Sequence, residues 1–400
     1  MDVDVVIVGG GMVGASLALA LDATPLETVL IESIAHDAAA QPSFDERTTA
    51  LGNGSRRIFE ALGAWPRIAA ESASIRAIHV SDAGRFGFSR LRAEEQGVAA
   101  FGFVVPNRVI GAALWERLAQ AKNVQLRVPA QPSCIRIEAG GAEVALESER
   151  IRARLVVAAD GARSMVREAA GITAQVEDYD QVAIVANLVA DRPHDATAYE
   201  RFTPTGPLAL LPVHDGSFTV VWTLRPDVAE RTLNLADGAF LAELQSRFGW
   251  RAGRFVRAGQ RVSYPLRLTR ADAVVATRTV LIGNAAQSLH PVAGQGFNLG
   301  LRDAAMLAEV LADADGDPGS PDLLARFAQW RAADRRGVVG FTDRLVKLFG
   351  DTRPGVGVVR NLGLLLFDVT PPAKSALARV SVGFAGPTPR LARGLALTGA

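Results

Sequence analysis

Cysteine is almost absent from this sequence. Cys134 is the single cysteine among 400 residues. One cysteine cannot form an intramolecular disulfide, so the fold must be stable without such cross-links. Scarcity of cysteine is typical of proteins from a reducing compartment, and we expect a cytoplasmic chain.

The sequence also lacks an excess of charge of either sign. It contains 43 lysines and arginines against 42 aspartates and glutamates. This balance leaves no overall positive field to attract nucleic acid, so no nucleic-acid partner is expected. The sequence shows no obvious cluster of metal ligands either, and no metal is predicted.

Long apolar runs are missing as well. No stretch approaches the roughly 18 consecutive apolar residues of a membrane-spanning helix. Asp2 and Asp4 stand where a secretory signal peptide carries positive charge, so no signal peptide is predicted. The length of 400 residues exceeds one ordinary core, and more than one domain is expected.

What the sequence does contain begins with a glycine-rich turn near its start. Residues 4–8 form an apolar strand, Gly9-Gly10-Gly11-Met12-Val13-Gly14 follows, and residues 15–21 continue as an apolar helix face. A second strand, residues 28–31, ends at Glu32, 18 residues beyond Gly14. This is the G-x-G-x-x-G pattern in the strand, turn and helix order of a dinucleotide site.

Each residue of this pattern has a predicted role. Gly9 makes the turn, Gly11 lets the backbone approach a pyrophosphate, and Gly14 allows close packing of helix on sheet. Glu32 can accept hydrogen bonds from a ribose diol. At this point the ligand could be NAD or FAD.

A second glycine-rich segment lies late in the chain. The apolar strand of residues 279–282 leads into G-N-A-A-Q-S-L-H-P-V-A-G-Q-G-F-N-L-G, and a helical pattern follows from about Asn298. Gly294, Gly296 and Gly300 would let the loop approach a flat ligand, and the positive end of the helix favours negative charge. A reduced flavin carries such charge at its N1–C2 carbonyl edge. The alternative is a strand-to-helix turn without chemical function.

A third segment lies at the centre of the chain. A strand at residues 151–159 runs into Asp160-Gly161-Ala162-Arg163-Ser164, followed by Val166-Arg167. An Asp-Gly pair at the end of a strand is usually only a turn.

Together the three segments resemble the group A FAD-dependent aromatic hydroxylases, the p-hydroxybenzoate hydroxylase superfamily. The resemblance covers residues 1 to about 310. Asn284 and Gln287 replace the usual Asp and His of G-D-A-A-H, a variant that resembles the ubiquinone-biosynthesis hydroxylases of the UbiH type, the 2-polyprenyl-6-methoxyphenol hydroxylases. Residues 341–346 and 371–374 are similar to the tail of that family.

The resemblance implies an α/β fold with a Rossmann-like, glutathione-reductase-like FAD-binding domain interleaved with a mixed β-sheet substrate domain. The FAD-binding domain would comprise residues 1–75, 100–175 and 273–340, and the substrate domain residues 76–99 and 176–272. Residues 341–400 would form a C-terminal helical region. Strands are predicted at 182–188, 208–212 and 218–223.

The resemblance also implies which residues contact FAD. They are Gly9, Gly11, Gly14, Glu32, Arg47, Arg108, Asp160, Gly161, Gly283, Asn284, Gly294, Gln295, Gly296, Phe297 and Asn298. The side-chain carbonyl of Asn284 can accept a hydrogen bond from a ribityl hydroxyl. Arg47 and Arg108 have an alternative as solvated or structural arginines.

The implied activity is a monooxygenase reaction. NAD(P)H, a transient co-substrate, reduces FAD, molecular oxygen adds at C4a, and the flavin hydroperoxide hydroxylates a polyprenylated methoxyphenol. His290 and Pro291 are the catalytic candidates, although a lone histidine beside proline is more often a loop or core residue. The alternatives are a noncatalytic FAD-binding subunit of a biosynthetic complex and a hydroxylase of a different small phenol.

The substrate itself suggests where the enzyme works. A polyprenyl tail does not diffuse freely through water, so we expect contact with a membrane, on the inner face of the plasma membrane, or with other ubiquinone-biosynthesis proteins. Apolar runs with interspersed basic residues at 345–349 and 358–367 suit an interfacial helix, but equally a packed helix or a dimer contact. The predicted apolar pocket wall is Leu208, Leu210, Leu211 and Trp222.

Overall fold

A computed structural model of the chain describes residues 1–36, 41, 45–85, 87–289, 294–350 and 388–397, with the helix backbone alone for 341–350. The helices are α1 Met12–Asp22, α2 Asn53–Ala61, α3 Trp65–Ala69, α4 Asn107–Leu118, α5 Met165–Ala169, α6 Pro226–Leu233, α7 Asp237–Phe248, α8 Gln295–Ala312 and α9 Pro321–Gly350.

The strands, in chain order, are β1 Asp2–Val8, β2 Thr28–Ile31, β3 Thr48–Gly52, β4 Ala73–Ile75, β5 Ala77–Asp82, β6 Phe88–Arg92, β7 Gly102–Pro106, β8 Val124–Arg127, β9 Cys134–Glu138, β10 Gly141–Ala145, β11 Arg150–Ala158, β12 Ala174–Ala190, β13 Thr197–Thr203, β14 Gly206–Pro212, β15 Phe218–Leu224, β16 Phe255–Ala258, β17 Val262–Ala271, β18 Val275–Ala276, β19 Thr279–Leu281 and β20 Gln287–Ser288.

The first sheet is built on parallel strands in the order β19-β11-β1-β2-β8. Val6 of β1 lies opposite Val29 of β2 and Val156 of β11, and all three are fully buried. Such continuous apolar strands are expected where both faces of a parallel sheet are covered. Helices α1, α4 and α8 cover one face, and α5 and β10 pack on the other.

The second sheet runs in the order β20-β17-β12-β15-β14-β13-β5-β6 and is antiparallel except between β13 and β5. One of its faces is covered by α7, whose Phe240 and Leu244 share a core with side chains of β12, β14 and β15. Strand β20 lies just beyond β19 of the first sheet and pairs with β17, so this short segment joins the two sheets.

A small antiparallel sheet, β3-β7-β4, links the two larger ones. Its Ala50 and Val104 belong to the same apolar cluster as Ala198 of β13 and Leu211 of β14. The face of the second sheet opposite α7 therefore packs toward the first part of the chain.

The end of the chain folds back onto the first sheet. Helix α9 continues through residue 340, where the sequence predicts that a separate region begins. Leu391 and Ala392 enter the core formed by α1, α2 and α8, and Arg390 contacts Asp313 at 2.6 Å. Residues 358–367 and 371–374 lie outside the described residues. In the described part of the chain, no helix is long and apolar enough to cross a membrane.

The α/β fold class and the main elements are confirmed. The strand predicted at 28–31 has those bounds, and the strands predicted at 208–212 and 218–223 are observed as Gly206–Pro212 and Phe218–Leu224. The long strand β12 includes the predicted 182–188 segment. The apolar patterns were sufficient because each of these segments has at least one buried face.

Candidate cofactor site

The predicted motifs meet at one edge of the first sheet. Strands β1, β2, β11 and β19 are consecutive neighbours and parallel, so their carboxyl ends lie together. The residues that follow these ends at once or within two positions are Gly9, Glu32, Asp160 and Gly283. Open α/β sheets bind ligands at this edge.

Two glycines of the first glycine turn have no room for a side chain. Gly9 has φ of +105°, and a Cβ atom there would lie 2.4 Å from the carbonyl oxygen of Ala159. A Cβ atom on Gly14 would lie 1.9 Å from the carbonyl oxygen of Gly9. Gly11 caps the start of α1. The turn is thus held tightly between β1, α1 and the end of β11.

Glu32 is held against this turn. The N–H of Gly10 donates to Oε2 at 2.6 Å, and the N–H of Ile34 donates to Oε1 at 3.0 Å. The residue is only 9% exposed. A carboxylate oxygen can accept more than one hydrogen bond, so Glu32 keeps capacity for a hydroxyl of a ligand.

Asp160 carries a partly buried carboxylate two residues beyond the end of β11. Its Oδ2 accepts the N–H of Met165 at 2.8 Å, while Oδ1 is buried and has no hydrogen-bond partner in the described structure. Burial raises the pKa of Asp160. Because a buried polar atom without a partner is costly, Oδ1 suits a ligand that supplies a hydroxyl group. Gly161 beside it has φ of +84° and faces open space.

Arg167 connects two of the motifs and was not predicted as a site residue. It follows Ser164, whose Oγ accepts the Arg167 N–H at 3.0 Å and caps α5. The guanidinium of Arg167 donates through Nη1 to the carbonyl oxygen of Ala285 at 3.2 Å. The signal available in the sequence was its place at the end of the segment from Asp160 to Arg167.

The segment after β19 presents one polar side chain outward. Gly283 has φ of +58°, and a Cβ atom there would lie 3.2 Å from the side chain of Val13 in α1. Gly283 and Ala285 are buried, whereas Asn284 between them is exposed. The segment therefore packs closely on α1 and leaves Asn284 accessible to a ligand.

A buried charge cluster supports this segment. Gln287 donates through Nε2 to Oδ2 of Asp303 at 2.9 Å and accepts from Nε of Arg335 at 2.5 Å. Asp303 pairs with Arg331 at 2.7 Å, and Arg331 pairs with Asp334 at 2.5 Å. We call Gln287, Arg302, Asp303, Arg331, Asp334 and Arg335 the buried charge cluster.

Charges in this cluster compensate one another. Arg331 is fully buried, and Arg302 also pairs with Asp334, at 2.9 Å. Although burial opposes ionisation, the positive charges of Arg302 and Arg331 hold the pKa of Asp334 below its usual value. Sequence reasoning missed the cluster because its members come from α8, α9 and β20, which only the tertiary fold brings together.

The start of α8 is fixed by Asn298. Its Oδ1 accepts from Gly52 N–H at 2.9 Å and Ser55 Oγ at 2.6 Å, and its Nδ2 donates to the carbonyl oxygens of Ala50 at 2.8 Å and Gly294 at 2.7 Å. The hydrogen-bonding capacity of this amide is therefore used within the protein. Asn298 joins α8 to β3 and α2.

The other predicted residues of this turn lie beside Asn298. Gly294 has φ of +59° and caps α8, Gln295 is buried, and Gly296 is partly exposed. The ring of Phe297 stacks on Phe59 with a centroid separation of 6.2 Å. His290 and Pro291, the catalytic candidates, lie outside the described residues.

The two predicted arginines are engaged with carboxylates. Arg108 contacts Glu46 at 2.8 Å and Glu71 at 2.9 Å. Arg47 contacts Asp45 at 2.5 Å, and its guanidinium lies 4.5 Å from the ring centre of Tyr264 on β17. The ion pairs favour the structural interpretation of Arg108, while Arg47 lies between the first part of the chain and the second sheet.

The predicted pocket wall is wrong for three of its four residues. Leu208, Leu210 and Trp222 are at most 1% exposed and pack in the core beneath α7. Leu211 lies on the opposite face, in the cluster with Ala50 and Val104. Successive residues of a strand point to opposite faces, so one apolar run cannot line a single pocket.

The similarity of this chain to known proteins extends beyond these motifs to nearly its whole length. The model of the FAD binding domain family matches residues 2–342. The ubiquinone hydroxylase UbiL of Rhodospirillum rubrum is 39% identical over 98% of this chain and 93% of its own length. The 3-demethoxyubiquinol 3-hydroxylase of Escherichia coli is 32% identical over 90% of this chain and 94% of its own.

Two further proteins extend the comparison. The ubiquinone biosynthesis monooxygenase COQ6 of Caenorhabditis elegans is 30% identical over 94% of each chain. The crystal structure of p-nitrophenol 4-monooxygenase from Pseudomonas putida is similar in fold, with a TM-score of 0.80 and 20% identity over 96% of this chain and 99% of that one. The likeness covers nearly the whole length of these proteins.

Proposed function

The chain belongs to the FAD binding domain family, and on that premise we propose that it is an FAD-dependent monooxygenase that hydroxylates the ring of a polyprenylated phenol in ubiquinone biosynthesis. The relatives named as ubiquinone hydroxylases support the substrate class. NAD(P)H and molecular oxygen are the co-substrates. Bound FAD, reduced by NAD(P)H, supplies the activated oxygen for an electron-rich ring.

The observation that carries this proposal is the shared edge of β1, β2, β11 and β19. The glycine turn after β1 can accept a pyrophosphate because no side chain occupies it, and the N-terminus of α1 favours negative charge there. Glu32 would hold the adenosine ribose, and Oδ1 of Asp160 and the amide of Asn284 would bind hydroxyls between ribose and ring.

The start of α8 is our proposed site for the flavin ring. Backbone amides at the N-terminus of a helix stabilise negative charge, as a reduced flavin and a phenolate require. Gly294, Gln295 and Gly296 would contact the ring through their backbone, while Asn298 holds the turn in place. His290 and Pro291, which precede Gly294 in the sequence, remain our catalytic candidates.

Arg47 and Arg108 have different proposed roles. Arg47 lies beside Tyr264 of the second sheet, where it can contact FAD from the substrate side. Arg108, which is paired with Glu46 and Glu71, would support the backbone around the cofactor rather than bind it directly.

The activity is tested with isotopically labelled oxygen gas. The purified chain, loaded with FAD and supplied with NAD(P)H, is incubated with 2-prenylphenol, and the product is analysed by mass spectrometry. We expect one labelled oxygen atom in the ring and none without FAD. Absence of a hydroxylated phenol would contradict the proposal, and if NAD(P)H is not oxidised either, the noncatalytic FAD-binding subunit is favoured.

We also propose that the region around residues 358–367 meets a lipid surface, because the substrate carries a polyprenyl tail. This run contains Leu364, Leu365 and Leu366 beside Arg360. Truncation is a poor test, because Leu391 and Ala392 belong to the core. Replacing the three leucines by glutamine in the full chain should reduce co-sedimentation with anionic liposomes while FAD content is kept. Equal sedimentation would leave a partner protein as the substrate carrier.

A further inference from the structure

Glu200 is a carboxylate on the central part of β13. Its strand neighbours are Ala209 of β14 and Val80 of β5, so no charged residue lies directly opposite it. The residues before and after it point toward α7: Tyr199 contacts Phe248 with ring centres 5.5 Å apart, and Arg201 donates to the carbonyl oxygen of Arg247. Glu200 therefore points to the other face of the second sheet.

That other face leads to the proposed flavin site. Ala198 and Leu211 on this face share an apolar cluster with Ala50 of β3. The carbonyl oxygen of Ala50 accepts from Asn298 at 2.8 Å, and a Cβ atom on Gly294 would lie 3.2 Å from the Cβ of Ala50. Glu200 thus lies on the sheet face that packs toward the start of α8.

Glu200 has neither an ion pair nor a hydrogen bond from its side chain in the described structure. It is deeply enclosed by protein, yet part of its side chain remains accessible. A ligand on this face could therefore contact the accessible part of the carboxylate. An enclosed carboxylate without a partner is costly, and here burial raises the pKa of Glu200 to about 7. No charged side chain contributes to this shift.

We infer that Glu200 is the residue that accepts the proton of the substrate's ring hydroxyl. This inference rests on the proposed function and specifies its substrate further: the ring must carry a free hydroxyl that faces β13. On this face, Ala209, Val80 and Leu211 suit an aromatic ring. The charged residue of β5 on the same face is Asp82, which pairs with Arg85 at 3.8 Å.

Every proton in the hydroxylation step has a donor and an acceptor. As the ring carbon forms its bond to the transferred oxygen, the O–O bond breaks, the phenol O–H bond also breaks, and the phenol proton moves to the Glu200 carboxylate. When the ring regains aromaticity, the hydrogen on the hydroxylated carbon leaves as a proton that is taken up by the second oxygen atom, which departs as water, and Glu200 returns its proton to the phenolate oxygen. The carboxylate ends in its starting state, and the electrons come from NAD(P)H.

The test compares Glu200→Gln with the parent as FAD-loaded full chains, using 2-prenylphenol and its methyl ether. Glu230→Gln is the matched control, because Glu230 is exposed on α6. We expect kcat for the phenol to fall by about 100-fold or more in Glu200→Gln, which is typical for loss of an acid–base group. KM and FAD content should change little, and Glu200→Asp should recover part of the activity.

The pH profile separates a chemical role from a structural one. In the parent, kcat should rise with pH through an apparent pKa near 7, the value that burial imposes on Glu200, and this rise should be absent in Glu200→Gln. The methyl ether, which has no proton to lose, should react poorly in both. An unchanged kcat and pH profile in Glu200→Gln would overturn the role of Glu200 alone. Failure of the parent to hydroxylate any phenol would overturn the proposed function and this inference with it.

Discussion

The side-chain amide of Gln287 donates a hydrogen bond to Oδ2 of Asp303 at 2.9 Å, and the same oxygen accepts the backbone N–H of Gly283 at 3.3 Å. Both ends of the segment that presents Asn284 are thereby attached to one carboxylate in α8. Asp303 also pairs with the fully buried Arg331. The geometry around Asn284 therefore depends on buried charges of α8 and α9.

The first prediction concerns Arg331. Replacing Arg331 by Met should lower the free energy of unfolding by about 3–5 kcal/mol, because Asp303 and Asp334 lose their shared buried partner. The control is Arg247→Met, which removes an exposed pair with Glu243 and should cost less than about 1 kcal/mol. Urea denaturation of both variants is the measurement. If Arg331→Met and Arg247→Met lowered the free energy of unfolding by similar amounts, the buried charge cluster would not be a stabilising unit.

The second prediction concerns Glu32. Replacing it by Ala should weaken FAD binding by on the order of 1.5–3 kcal/mol, because a charge-assisted hydrogen bond to the ribose is lost. Glu27→Ala, at an exposed position before β2, should leave affinity unchanged. Titration of the apoproteins with FAD, followed by flavin fluorescence, measures both. If Glu32→Ala bound FAD as the parent does, the ribose assignment would be wrong.

The third prediction concerns Gly14. A methyl group there would lie 1.9 Å from the carbonyl oxygen of Gly9, so Gly14→Ala must displace the glycine turn and should abolish FAD retention. Gly337→Ala in α9 introduces a methyl group that meets nothing within 4 Å. It should stabilise the helix by about 0.5–1 kcal/mol. FAD content after gel filtration and thermal melting distinguish the two, and normal FAD retention by Gly14→Ala would count against the close packing.

The fourth prediction concerns pH. Burial raises the pKa of Glu200 from 4.5 to about 7, so the folded state holds this proton more tightly than the unfolded chain. The contribution of this bound proton to the free energy of unfolding is fully present below pH 4.5 and is lost as pH rises through 7. Because glutamine does not ionise, Glu200→Gln should gain stability relative to the parent over this range, by up to about 3 kcal/mol. Unfolding curves at several pH values test this, and a pH-independent difference would contradict the buried-carboxyl assignment.

Some parts of the site were accessible from sequence because their cause is local. A glycine is required wherever φ is positive or a Cβ atom would collide, as at Gly9 and Gly14, and such positions appear in the sequence as a fixed spacing. Glu32 was also predictable from a local feature, because it directly follows a short apolar strand whose end lies next to that turn.

Other parts needed the tertiary structure. Leu210 and Leu211 are consecutive and equally apolar, yet one packs under α7 and the other faces the small sheet. Periodicity shows that they differ in direction but not which direction leads to the site. Glu200 gave no signal either, because a charge in an alternating strand is usually solvated, and only the elements packed around it make it a buried acid.

By itself, the amino-acid sequence determined the glycine turns, the strands and helices on either side of them, and the residues at the ends of β1, β2, β11 and β19, because these follow from backbone sterics and short-range apolar patterns. Tertiary structure alone decided the pairing of Arg331 with Asp303 and Asp334, the saturation of Asn298, the face on which Glu200 lies and the return of residues 388–397 to the core. These features depend on contacts between distant segments. Their energies arise from burial and charge pairing, which exist only once the segments are packed together.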